Sequence, residues 1–358
     1  MALLYSDGFD VQDVPMRWTV SGVASDITYA TATRLGAGKA ATLNAVTGNA
    51  VNLSILRALP ASASVYAGAA IQVGLESGNN SDLTANLFGI YTDNGATGHL
   101  YIRRLSTNAL GLYRGEPNAG NFSSPSGTLI ATTPAGTLDG NWHYIEMYAT
   151  INATTGQVIV RVDGRQVINF TGNTKNGGTS TNIDAIRFRT GRYVSSPNCV
   201  ISIDDFYVCD ATGVVNNTFL GDVRVQSMLP NAAGSSTQLA PTGSANNYAN
   251  VSEVPYVSTT YNSSSTVGQR DTYGLSDLTA STTTVYGLQS VAHMQKSDAG
   301  AASARVALKS GASVYYDTTQ PLSTSATSYV QMRETDPATA AAWTVTGANA
   351  LEAGMEVA

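Results

Sequence analysis

The sequence predicts an all-β protein of two β-sandwich, jelly-roll domains joined by a loop-rich linker. Three observations predict it. Short runs of Val, Ile, Tyr, Leu and Thr alternate with Gly, Asn, Asp, Ser and Pro clusters at about 8–15-residue intervals, the texture of many short strands. No amphipathic stretch of helical period is long enough for a substantial helix, and the Ala-rich patch at 338–342 is too short. The 358 residues also exceed what one small core needs and suggest about two domains.

The clearest strands lie in the middle of the chain. In His143–Ile151, the residues Ile145, Met147 and Ala149 share one face, and Tyr144, Glu146 and Tyr148 share the other. Gln157–Val162 runs into Asp163-Gly164, where both central turn positions tolerate φ > 0, and the chain returns through Arg165–Phe170 as a hairpin. Ala185–Arg189 and Val200–Val208 complete the first sandwich. Trp142, at the mouth of its strand, is expected to pack into that core. After Asp210 the composition shifts to Asn, Gly, Ala, Thr and Ser, which sets a first domain at 1–210, a linker at 211–222 and a second domain at 223–358. One strand is expected at Asp222–Met228. Others follow at Thr283–His293, Ala302–Leu308, Ser313–Tyr316, Tyr329–Met332 and from Trp343 onward. The echo of Trp18–Gly22 in Trp343–Gly347 is a short match between Thr-rich segments and reads as coincidence.

Charge excludes several functions. Charged residues are only 12% of the chain against 43% hydrophobic, which rules out a disordered charged tail. The net charge of −6, with only four lysines among the nineteen bases, argues against a nucleic-acid partner. No apolar run reaches membrane-spanning length and the start carries no secretory pattern, so no membrane association is expected. Cys199 and Cys209 would lie about 33 Å apart on one extended strand, so buried thiols are expected rather than a disulfide.

Catalytic signals are sparse. His99, His143 and His293 have no His or Cys at metal-ligand spacing, and phosphate-loop, dinucleotide and nucleophile-elbow motifs are absent. His143 reads as a half-buried structural residue. Glycoside hydrolysis needs two carboxylates across a cleft, and none of the seven Glu has a second acid two positions along a recognisable strand. Glu146, between Tyr144 and Tyr148, is the one carboxylate in a sugar-friendly setting; a solvated or Arg-paired sheet residue is the other reading. No catalytic residue and no cofactor are assigned. Asp204-Asp205 could contribute to a Ca²⁺ site, but adjacent strand residues point to opposite faces, and a bulge that re-aims the strand is the competing reading.

An arginine and tyrosine stripe is the most suggestive surface feature. Alternation sets Tyr101 and Arg103 opposite Leu100 and Ile102, Arg187 and Arg189 opposite Ile186 and Phe188, and Arg161 opposite Val160 and Val162. Tyr144 and Tyr148 fall off the core face by the same count. Tyr and Arg are enriched at interfaces, so these seven residues are the interface candidates; the polar side of an antiparallel sheet is the alternative.

The segments Thr137–Glu146 and Gly156–Arg165, a Trp-His strand entry followed by a hairpin ending in Val-Asp-Gly, resemble the core of concanavalin A-like, laminin-G-like jelly rolls. The opening Tyr5–Asp10 and the closing Ile203–Val208 resemble the first and last strands of such domains in tailed-phage structural proteins. The remainder is similar in layout to the second domain of phage virion proteins: Asp271–Leu275, Val285–His293, then Glu334–Ala338 leading into Ala342–Thr344. The resemblance implies a non-enzymatic virion protein attached to capsid or tail. Expected partners are other virion proteins, further copies of the chain and a host-surface glycan. The alternatives are a tail-associated glycosidase and a stand-alone glycan-binding adhesin.

Overall fold

The computed structural model describes residues 2–31, 33–34, 38–45, 52–74, 86–116, 127–191 and 200–358. The chain is almost wholly antiparallel β; its longest α-helix among the described residues, Val345–Asn349, has five residues. It divides into two units, residues 2–225 and 226–358.

The first unit contains β1 (Leu3–Asp7), β2 (Thr19–Ser21), β3 (Ile27–Ala30), β4 (Ala40–Leu43) and β5 (Asn52–Ser62). Next come β6 (Ser64–Val73), β7 (Asn86–Thr92), β8 (Thr97–Arg104), β9 (Leu110–Arg114) and β10 (Thr128–Thr132). The last five are β11 (Trp142–Thr150), β12 (Gly156–Val162), β13 (Arg165–Gly172), β14 (Ile183–Gly191) and β15 (Ile201–Asp210). They form two sheets. The eight-stranded one runs β13-β12-β11-β6-β15-β4-β3 with β1 also on β15, and the seven-stranded one runs β10-β9-β8-β7-β14-β5-β2.

Alternation buries one face of each sheet in an aromatic core. Trp18 sits 5.4 Å from Phe206 and 6.0 Å from Phe188, and Phe88 lies 5.0 Å from Phe188. The core tryptophan is therefore Trp18; Trp142, expected there, is only half-buried at the start of β11. The Asp163-Gly164 turn forms as expected, with φ of 51° and 77°, and joins β12 to β13 at Val162 and Arg165. On β15 the register against β6 shifts between Asp204 and Tyr207, and Asp205 takes φ 51°. This bulge changes the phase of the strand, so that Phe206 joins the core aromatics while Tyr207 faces outward beside Gly68. Cys209 is buried and Cys199 lies outside the described residues.

The second unit contains β16 (Pro230–Thr237), β17 (Ala240–Thr242), β18 (Tyr261–Ser263), β19 (Arg270–Leu275) and β20 (Leu288–Met294). It continues with β21 (Ser303–Ser310), β22 (Ser313–Tyr316), β23 (Gln320–Pro321), β24 (Thr327–Arg333) and β25 (Glu352–Val357). A six-stranded sheet runs β16-β19-β25-β21-β22 with β23 on β21, and β17–β18 and β20–β24 are separate pairs. Leu308, Trp343 and Leu351 make its core cluster, and the Trp343 indole donates to the Arg333 carbonyl at 3.0 Å. Trp18-Thr19 leads into a strand whereas Trp343-Thr344 leads into a short helix, so the sequence echo has no structural counterpart. The strand expected at Asp222–Met228 does not form. These residues join no ladder, and the Val225 N–H donates instead to the Asp205 carboxylate at 2.8 Å.

Candidate functional site

The seven interface candidates fall on the outer faces of the two different sheets of the first unit. On the seven-stranded sheet, antiparallel register aligns Arg187, Gly89, Tyr101 and Tyr113 in one row across β14, β7, β8 and β9. The next row is Arg189, Asn86, Arg103 and Gly111. The Tyr101 and Tyr113 rings stack at 5.0 Å with planes 5° apart. Two glycines make room for rings that lie down along their own strands. A Cβ on Gly89 would come within 2.7 Å of the Tyr91 ring, and one on Gly111 within 2.8 Å of the Tyr113 ring.

The face is less open than alternation implies. Tyr101, Arg103 and Arg189 are buried, which corrects the expectation of a solvated stripe there. Period-2 alternation removes a residue from the core between the sheets, but it does not say what covers the second face. The accessible part is the edge carrying Arg187 and Glu116, whose side chains are 23% and 39% exposed. Here the Arg187 guanidinium lies 4.2 Å above the Tyr91 ring centre and its Nη1 reaches Glu116 Oε1 at 3.4 Å. The Tyr91 hydroxyl donates to the same oxygen at 3.0 Å, and Arg187 Nη2 donates to the Gly95 carbonyl at 3.1 Å. Burial raises the Glu116 carboxyl above its ordinary range, against the pull of Arg187 and the Tyr91 hydrogen bond. Burial also raises the Tyr91 and Tyr101 phenols and lowers the Arg189 guanidinium. A partly exposed carboxylate beside a forked guanidinium suits hydrogen bonding to neighbouring polar groups.

The other candidates, Tyr144, Tyr148 and Arg161, sit on the eight-stranded sheet. There a row runs Tyr207, Gly68, Glu146 and Arg161 across β15, β6, β11 and β12. A Cβ on Gly68 would collide with the rings of Tyr207 and Tyr144. This row is the seat of the chain's own residues 218–225. The Phe219 ring packs edge-on to Tyr66 at 4.9 Å and beneath the Arg161 guanidinium at 4.1 Å. The Leu220 N–H donates to the Tyr207 hydroxyl at 3.0 Å and the Gly221 N–H to Glu146 Oε1 at 2.9 Å. Arg34 pairs with Asp222 at 2.5 Å and with Asp205 at 3.6 Å. The segment expected to be a free linker at 211–222 therefore ends in a strap laid across the first unit, and the units divide after Val225.

Glu146 is buried here and accepts from the Tyr207 hydroxyl at 2.5 Å. His143 bridges two turn carboxylates, Nδ1 to Asp163 at 2.8 Å and Nε2 to Asp139 at 3.0 Å. Asp204 and Asp205 lie at the bulge, where the Asp205 N–H donates to Asp204 Oδ1 at 2.8 Å. Among the described residues no three His, Cys, Asp or Glu side chains are grouped so as to hold a metal ion. Sequence reasoning missed Tyr91, Tyr113 and Glu116 on the first face and Tyr66, Tyr207 and Phe219 on the second. The repeated Gly-x-Tyr spacing at Gly89/Tyr91 and Gly111/Tyr113 is the signal that could have found the first pair.

No known family matches the chain in sequence, and no curated protein does. Several solved structures resemble part of it at low identity. A cellulose-induced protein is 15% identical, with 59% of this chain and 98% of that one covered at a TM-score of 0.41. An alginate lyase is 13% identical over 58% of this chain and 92% of its own, at 0.40. A sialidase is 13% identical over 57% of this chain at 0.39, and there the match spans only 18% of the longer protein.

Proposed function

We propose that the chain is a non-enzymatic accessory protein of a phage particle whose first unit binds a glycan at the Arg187–Glu116–Tyr91 edge. The observation that carries the glycan reading is the accessible edge of the seven-stranded sheet, where Arg187 closes a triangle with Tyr91 and Glu116. A partly exposed guanidinium and carboxylate side by side donate to and accept from neighbouring hydroxyls. The particle assignment rests on the resemblance of Tyr5–Asp10 and Ile203–Val208 to phage jelly-roll strands. The non-catalytic part is supported by Glu146, the carboxylate on which the hydrolase alternative depends, which lies beneath Gly221.

Affinity electrophoresis of the full chain through gels containing host-surface polysaccharide tests the binding. Retardation is expected, with Arg187→Ser reducing it at least tenfold, equivalent to about 1.4 kcal/mol. Migration unchanged by every polysaccharide overturns the glycan reading. Sugar release in a parallel assay, abolished by Glu146→Gln, would establish the hydrolase instead. Mass spectrometry of purified particles tests the virion assignment.

A further inference from the structure

The strap points to a second interaction surface, independent of the glycan edge. Its seat has the composition of a protein interface: Tyr66, Tyr144, Tyr148, Arg161 and Tyr207 on one sheet face, with Phe219 inserted as an anchor. Yet the occupant belongs to the same chain and adds no strand to the sheet. Its holds include the Leu220 and Gly221 N–H donors, the Phe219 ring, the Arg34–Asp222 ion pair and the Cys209 thiol on the Thr218 carbonyl, with the Val225 N–H on Asp205 at its far end. The loop before it, residues 211–217, closes on itself: Asp210 Oδ1 accepts the Thr212 N–H at 2.9 Å and Asn217 donates to the Gly213 carbonyl at 3.1 Å. Gly213 and Asn216 have φ of 81° and 54°, and Val214 at the loop tip is 95% exposed.

We propose that this strap is exchangeable, and that the eight-stranded face of one copy takes residues 218–225 of a second copy when copies are held close together. Every group that seats the strap is present on each copy, so an exchanged strap makes the same contacts as a retained one. The difference lies in the tether. In one chain the short loop holds the strap at an effective concentration of about millimolar, so exchange needs neighbours packed at a comparable local concentration. Seven loop residues reach at most about 24 Å when extended, which limits exchange to faces within that distance of the Asp210 from which the strap departs. A chain arrayed on a surface meets both conditions, and exchange would then link neighbours without any new contact type.

The ion pair between Arg34 and Asp222 supplies the test. A full-length Arg34→Glu copy and a full-length Asp222→Arg copy each carry like charges across their own seat. Mixed, each offers the other an opposite charge. Light scattering at ~100 μM should find each alone monomeric and the mixture a 1:1 dimer. Trypsin should cleave after Arg224 at least tenfold faster in the separate copies than in the mixture. A mixture that stays monomeric at ~1 mM overturns the proposal. A second measurement decides the matter if either copy fails to fold. The Cys209 thiol donates to the Thr218 carbonyl at 3.5 Å, so a full-length Thr218→Cys variant, with Cys199→Ser, is oxidised over a range of concentrations. Covalent dimers whose share rises about tenfold with tenfold concentration support exchange. The absence of covalent dimers at every concentration overturns it.

Discussion

Arg17 and Asp7 meet inside the first unit, Nη2 to Oδ1 at 3.0 Å, with both side chains sealed from solvent. Asp13 Oδ1 lies 2.5 Å from the same nitrogen, and the Trp18 indole donates to the other Asp7 oxygen at 2.8 Å. Burial opposes the guanidinium charge, but Asp7 overcomes it and Arg17 is held more firmly protonated than a free arginine. The pair thus fixes the entry of Trp18 into the aromatic core.

Arg17→Met should destabilise the first unit by about 3–5 kcal/mol, since it leaves Asp7 and Asp13 buried without their counter-ion. The midpoint of urea unfolding, followed by the near-ultraviolet signal of Trp18, reads the loss. A cost under about 1 kcal/mol would mean that the carboxylates find other compensation.

The two tryptophans of the first unit should behave differently. Trp18→Ala removes a buried ring from among Tyr5, Phe9, Phe188 and Phe206 and should cost about 3–5 kcal/mol. Trp142→Ala, at a half-buried strand end, should cost about 1 kcal/mol. Equal costs would contradict the placement of Trp18 at the centre of the core.

A pH dependence follows from the bulge. Burial, and then the neighbouring Asp205 charge, push the Asp204 carboxyl from 3.8 up to about 8, and burial raises Asp205 too. The folded state therefore binds a proton more tightly than the unfolded chain. Stability from this site is full below about pH 4 and is lost as pH rises toward 8. Burial lowers the His99 pKa from 6.5, which acts in the opposite sense at lower pH, so the window from pH 7 to 8 isolates the aspartates. Unfolding free energy should fall there by at most about 1.4 kcal/mol per pH unit. Asp204→Asn, which keeps an oxygen for the Asp205 N–H, should flatten the slope.

Gly68→Ala should loosen the strap. The added methyl collides with the Tyr207 and Tyr144 rings, and Tyr207 receives the Leu220 N–H. A cost of about 1–3 kcal/mol is expected, with faster tryptic cleavage at the exposed Arg224 than in the parent. Unchanged cleavage would show that the rings can yield without releasing residues 218–225.

Signals carried by neighbours in sequence were legible. The hairpin at Asp163-Gly164 depends on two adjacent residues that tolerate positive φ, and Ser313–Tyr316 forms the strand that its composition predicts. Alternation also set Tyr144, Tyr148 and Arg161 off the inter-sheet core. What covers them was not legible, because Phe219 and Gly221 come from a Gly- and Asn-rich stretch that resembles a linker. The same gap explains Val223 and Val225, which alternate like a strand while the Val225 N–H is spent on a side chain. The rows of the candidate site depend on register across strands up to about a hundred residues apart in sequence, which local pattern does not encode. Trp142 opens the more regular strand, yet the core forms around Trp18, where β1, β14 and β15 bring their aromatics together.

The extra residue at Asp205 is the place where β15 can lose a residue without turning its side chains over. Ahead of the bulge, Ile201 and Ile203 point inward; beyond it, Phe206 and Val208 do so in the opposite phase. Deleting the single codon for Asp205 would restore a continuous pleat with Phe206 still inward and Tyr207 still outward, and would remove the carboxylate that takes the Val225 N–H. Replacement of Asp205 by Asn or Gly keeps the count and leaves both faces as they are. Among diverged sequences a one-residue gap is therefore compatible with the strand at this position, whereas a gap elsewhere in β15 would turn one end of it over.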